Sequence, residues 1–68
     1  MNSAFVISPR VINTINSLPQ GDRETISHAL SMELFFGRDP EEGLTPIQCV
    51  VYAMIRQYVD QDTRRSLS

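Results

Sequence analysis

The sequence predicts an all-α protein, a small three-helix bundle that we expect to be completed by dimerisation. Two proline-containing helix starts and a six-position apolar stripe at helical spacing predict helices at about 8–18, 20–36 and 45–60. A chain of 68 residues buries only about 60% of the surface that it exposes when unfolded. We therefore expect one helical domain over residues 1–62, followed by a frayed tail at 63–68.

The first helix begins with the sequence Ser8-Pro9. Serine is a preferred N-cap residue, and proline is suited to the first helical position because its missing N–H is not needed there. Ile7 stands before the cap and is predicted to pack against Ile12 as a hydrophobic staple. The predicted apolar face consists of Val11, Ile12, Ile15 and Leu18.

The second helix is delimited by Pro19 and Gly37. Proline disfavours α geometry in the residue before it and favours a helix start, whereas glycine readily takes the left-handed conformation that ends a helix. Asp22 and Glu24 lie near the amino end, where negative charge stabilises a helix. The apolar positions at three- and four-residue spacing are Ile26, Ala29, Leu30 and Leu34.

The third helix has the clearest start. Thr45-Pro46-Ile47-Gln48 has the spacing of a capping box, in which Thr45 and Gln48 bond to each other's backbone N–H groups. After Tyr58 the apolar periodicity ends, so we expect fraying from about residue 62. The predicted core-facing stripe consists of Ile47, Val50, Val51, Met54, Ile55 and Tyr58.

The third helix is more apolar than a single bundle core requires, because residues 49–55 are all apolar and surround the helix axis. The end of the second helix is similarly apolar. Such a surplus indicates association, and we expect homodimerisation through the third helix and the end of the second. Large aromatic and flexible apolar side chains dominate interfaces, so the predicted interface residues are Phe35, Phe36, Tyr52 and Met54.

A dimeric DNA-binding regulator related to the helix-turn-helix architecture is the alternative hypothesis. Three short helices suffice for such a module, but a net charge of −2 disfavours binding to phosphates. The third helix is too apolar to read a DNA groove, and the second carries acidic residues at its start. If the alternative holds, the DNA-contacting residues are Arg10, Arg23, Arg64 and Arg65.

The residues that carry catalytic or metal chemistry are sparse. His28 and Cys49 are the only histidine and cysteine, too few for a zinc site or a cysteine–histidine dyad within one chain. We expect His28 on the polar flank of the second helix and Cys49 as a small buried hydrophobe. The three glycines are isolated from one another and form no phosphate-binding loop. We therefore predict no catalytic residue, metal, cofactor or small-molecule substrate.

The single cysteine favours a reducing compartment. No apolar stretch approaches the roughly 18 residues that span a membrane, and the short apolar run near the amino end has no basic segment before it. We expect a cytoplasmic protein without a membrane partner. The leading functional hypothesis is a non-catalytic, homodimeric interaction module that binds a protein partner.

Overall fold

The computed structural model describes residues 5–67 and confirms the predicted fold class. Over these residues the chain forms three α-helices, α1 (Pro9–Asn16), α2 (Gln20–Phe36) and α3 (Pro46–Leu67), with a 3₁₀ turn at Pro40–Gly43 and no strand. The helices pack against one another as a small bundle. Residues 1–4 and 68, which belong to the predicted domain and tail, lie outside the described residues.

The predicted helix boundaries have the expected capping bonds. The Ser8 hydroxyl accepts a hydrogen bond from the Val11 N–H at 3.4 Å. At the start of α3, the Gln48 N–H donates to Thr45 Oγ1 at 3.2 Å and the Thr45 N–H donates to Gln48 Oε1 at 3.1 Å, which is a complete capping box. Gly37 ends α2 with a φ of 66°, the left-handed conformation that glycine adopts without strain.

The core contains buried side chains from all three helices, and none of the buried residues in the described part of the chain is charged. Leu18, which lies just after α1, packs against this core from the connection to α2. Burial is the main stabilising contribution in a domain of this size. The buried residues are Val11, Ile15, Ile26, Ala29, Leu30, Tyr52, Ile55 and Val59.

The buried face of α3 agrees with the predicted one only in part. Ile55 is buried as predicted, and two other residues of the predicted stripe, Val51 and Tyr58, pack against the core. Ile47 and Val50 are 77% and 71% exposed, and Met54 is also exposed. The buried side chains of α3 lie roughly 140° around the helix axis from these three exposed side chains. Because residues 49–55 are all apolar, periodicity does not select one face, and the contacts with α1 and α2 decide. The buried face consists of Tyr52, Ile55 and Val59.

The predicted end of the third helix is also wrong, since α3 does not end near residue 60 but includes most of the predicted frayed tail. Contacts with the segment before α1 and with α1 itself hold these turns. Asp62 accepts hydrogen bonds from the Ser8 hydroxyl at 2.5 Å and from Arg10 at 2.8 Å. The Val6 N–H donates to Thr63 Oγ1 at 2.9 Å. These partners are more than fifty residues apart in sequence, so local periodicity could not reveal them.

Helices α2 and α3 run in the same direction. Near their amino ends Gln48 donates a hydrogen bond to Asp22 at 2.9 Å, and further along Arg56 donates to Glu33 at 2.9 Å. The earlier residue of α2 contacts the earlier residue of α3 and the later contacts the later, so the two helices are parallel. The linker at 37–45, which contains the 3₁₀ turn, returns the chain along α2 to the start of α3.

The two faces of α3 differ in the expected effect of truncation. Ile55→Ala removes atoms from a fully buried side chain and is expected to lower the free energy of unfolding by about 3 kcal/mol. Ile47→Ala, on the same helix but exposed, is expected to change it by less than about 0.5 kcal/mol. Urea denaturation followed by circular dichroism at one fixed protein concentration measures both. Equal losses in the two variants would contradict the observed orientation of α3.

Candidate interaction surfaces

Tyr52 belongs to the core and not to an exposed docking surface. Its side chain is 5% exposed, and its hydroxyl donates to Glu33 Oε1 at 2.5 Å, with the Ala29 carbonyl oxygen 3.4 Å away. Arg56 donates to the same Glu33 oxygen at 2.9 Å and to Asp60 at 2.6 Å. The prediction of Tyr52 as an interface residue is therefore corrected: it fastens α3 to α2 within the bundle.

The protonation of this network is set by its surroundings. Burial, reinforced by the Glu33 carboxylate, raises the pKa of Tyr52 well above its usual range. Burial opposes the charge of Arg56, but hydrogen bonds to Asp60 and Glu33 outweigh it and raise its pKa. Tyr52 consequently remains a hydroxyl donor and Arg56 remains charged at neutral pH. The network holds α2 and α3 together.

A second polar cluster joins α1 to the last turns of α3. The hydrogen bond from Ser8 lowers the pKa of Asp62, partial desolvation opposes this, and the Arg10 charge lowers it further. The Arg10 guanidinium also lies 4.3 Å from the centroid of the Tyr58 ring, a cation–π geometry. Arg10 therefore contacts both the Asp62 carboxylate and the Tyr58 ring within the same chain.

The four arginines of the DNA-binding hypothesis do not form one surface. Arg10 and Arg65 line a shared groove together with Asp62, and Arg64 lies in the same final turns of α3. Arg23 follows Asp22, which contacts α3 at Gln48. Positions 48 and 65 of α3 are separated by about 25 Å of helix, so Arg23 lies at the other end of the molecule.

An apolar groove between α1 and α2, the α1–α2 groove, lies beside one of the predicted interface residues. Its volume is about 200 Å³, and Phe35 projects from its rim with 79% of its surface exposed. The sequence analysis predicted Phe35 as an interface residue but did not predict the groove. The sequence feature that could have indicated the groove is the pair of small residues, Ser27 and Ser31, that precede Phe35 at four-residue spacing. The lining residues are Ile7, Ile15, Ser27, Leu30, Ser31, Leu34 and Phe35.

A second apolar surface lies on α3. Ile47, Val50 and Met54 recur at i, i+3 and i+7, so their side chains lie within about 60° of one another around the helix. All three are exposed, and we call them the α3 apolar stripe. Met54 was predicted as an interface residue, whereas Ile47 and Val50 were assigned to the core.

Phe36 is 69% exposed at the end of α2 and does not line the α1–α2 groove. A cavity of about 370 Å³ lies between α2 and the linker, with His28 and Arg38 among its lining residues. His28 is exposed, as the sequence predicts for a polar flank, whereas Cys49 is half-buried instead of fully buried.

Among the side chains that the structure describes, those of residues 5–40 and 43–66, no group of three or more histidine, cysteine or acidic side chains is arranged to hold a metal ion. Within the same residues no helix combines the length and apolar character needed to cross a membrane. Searches among protein-family models, curated proteins and solved structures find no match to this chain.

The Asp62 cluster predicts a specific pH dependence of stability. An aspartate ordinarily titrates near pH 3.9. Because folding lowers the pKa of Asp62, its contribution is fully present above about pH 4 and is lost as the pH falls through the lower folded-state value. The difference in unfolding free energy between wild type and Asp62→Asn should therefore shrink in acid, as measured by urea denaturation from about pH 7 down to about pH 2.

Gln61→Ala is the matched control, because Gln61 also contacts Arg10 but carries no titrating group. Its difference from wild type should be independent of pH over the same range. A constant difference for Asp62→Asn as well would contradict the assigned role of Asp62.

Proposed function

We propose that this chain is a non-catalytic protein–protein interaction module that forms a homodimer and binds a protein partner through its remaining apolar surface. The observation that carries the proposal is the exposure of large hydrophobic side chains at two places, Phe35 beside the α1–α2 groove and the α3 apolar stripe. Contiguous exposed apolar surface is typical of sites that contact other proteins.

The small core supports association. Domains of this length derive only a few kcal/mol of net stability from one core, and apolar area removed from water contributes about 25 cal/mol per Å². Covering Phe35 and its groove with a second copy therefore adds stabilisation that a monomer lacks. A dimer is therefore favoured over an isolated chain.

The polar contacts support a non-catalytic role. Tyr52, Glu33 and Arg56 bond to one another between α2 and α3, and Asp62 bonds to Ser8 and Arg10 between α1 and α3. These groups are engaged in joining helices. A cytoplasmic location is part of the proposal and is supported by the single cysteine.

The DNA-binding hypothesis has weaker support. Arg10 already contacts Asp62 and Tyr58, and the net charge of the chain is −2. An array of cations along one face, which phosphate binding favours, is interrupted by Asp62 between Arg10 and Arg65. Protein partners are therefore the better-supported class.

Light-scattering mass after size exclusion, at two ionic strengths and with or without a mixed-sequence DNA duplex, tests the proposed function. Twice the chain mass of 7.7 kDa, unchanged by DNA, is the expected result. A salt-sensitive shift of the protein into the DNA fraction would overturn the proposal in favour of DNA binding. A mass of one chain at every concentration would overturn the homodimer.

A further inference from the structure

The outer surface of α2 carries a large side chain and two small ones in line. Ser27, Ser31 and Phe35 follow one another at four-residue spacing on the side of α2 that borders the α1–α2 groove. Residues at this spacing lie above one another on a helix. The groove therefore extends along α2 past two short side chains, and Phe35 stands exposed at its end.

The row formed by Ser27, Ser31 and Phe35 has a shape that fits the same row on a second copy of the chain. When two copies of α2 pair antiparallel about a two-fold axis at Ser31, Phe35 of each copy lies opposite Ser27 of the other. A small residue leaves space for a large one there, and Ile15 and Leu30 line the same groove. In a parallel pair each Phe35 would meet the other Phe35, and the groove would stay empty.

We propose that the α1–α2 groove binds Phe35 of a second copy of this chain, so that the two α2 helices pair antiparallel about Ser31. This inference rests on the proposed homodimer and specifies its interface. Each buried aromatic side chain contributes about 150–250 Å², whereas a standard interface covers about 800 Å² per partner. An interface built around two phenylalanines is therefore small, and a dissociation constant in the micromolar range is expected.

Sedimentation equilibrium from about 1 to 300 µM, spanning the dissociation constants expected of a small interface, compares two neighbouring variants. Phe35→Ser is expected to weaken the dimer by about thirtyfold or more, the effect typical of a central interface residue. Phe36→Ser removes an adjacent phenylalanine of similar exposure that does not line the groove. It is expected to leave the dissociation constant within about threefold of wild type.

Disulfide trapping tests the orientation independently of Phe35. Antiparallel pairing at Ser31 places the two copies of residue 31 together and the two copies of residue 27 about 12 Å apart along the helix. Mild oxidation is therefore expected to link Ser31→Cys dimers and not Ser27→Cys dimers, with the wild type, which carries Cys49, as the background.

Different contrary results would overturn the proposed pairing of α2 helices and the proposed homodimer. A dimer unaffected by Phe35→Ser but lost in Val50→Glu would overturn this pairing, assign the interface to the α3 apolar stripe and leave the proposed function standing. Equal linking of the Ser27→Cys dimers would overturn the antiparallel register. A monomeric wild type at 300 µM, well above the range expected of a small interface, would overturn both the pairing and the homodimer.

Discussion

A small core is the constraint on which the rest of this structure depends. Its eight buried hydrophobic residues are drawn from α1, α2 and α3, with two or three from each helix. Three helices around so few side chains leave other apolar positions outside, and Phe35, Phe36, Ile47 and Val50 are all more than two-thirds exposed. The surfaces available for association thus follow from how little one short chain can bury.

Polar contacts between segments that are distant in sequence fix the relative positions of the helices around the small core. Ser8 both caps α1 and donates to Asp62 on α3, so the start of one helix is fixed to the end of another. Tyr52 has a similar dual role, with a buried ring and a hydroxyl that bonds to Glu33 on α2. Such contacts specify how the helices are arranged, which nonspecific apolar burial does not.

Local signals in the sequence predicted the helix starts and the end of α2. Capping at Ser8 and Thr45 and the left-handed Gly37 depend on neighbouring residues alone, and each has the expected geometry. The buried face of α3 was not predictable in this way, because an apolar run has no preferred side. Tyr52 was assigned to an interface for that reason, although contacts with α2 place it in the core.

The groove beside Phe35 illustrates a second limit of sequence reasoning. Its walls come from α2, from α1 and from Ile7, which precedes α1, and only the folded arrangement brings them together. The long α3 has the same origin, because Val6 and Ser8 contact its last turns. The exposed aromatic residues at the end of α2 could be recognised from the sequence, but the cavity beside them could not.

The dependence of the thermal unfolding midpoint on protein concentration shows directly whether a second copy stabilises the folded chain. If a second copy covers the apolar surface that the small core leaves exposed, association stabilises the folded state by mass action. The midpoint is then expected to rise steadily as the protein concentration is raised about a hundredfold through the micromolar range. A midpoint that stays constant over that range would contradict stabilisation by a second copy.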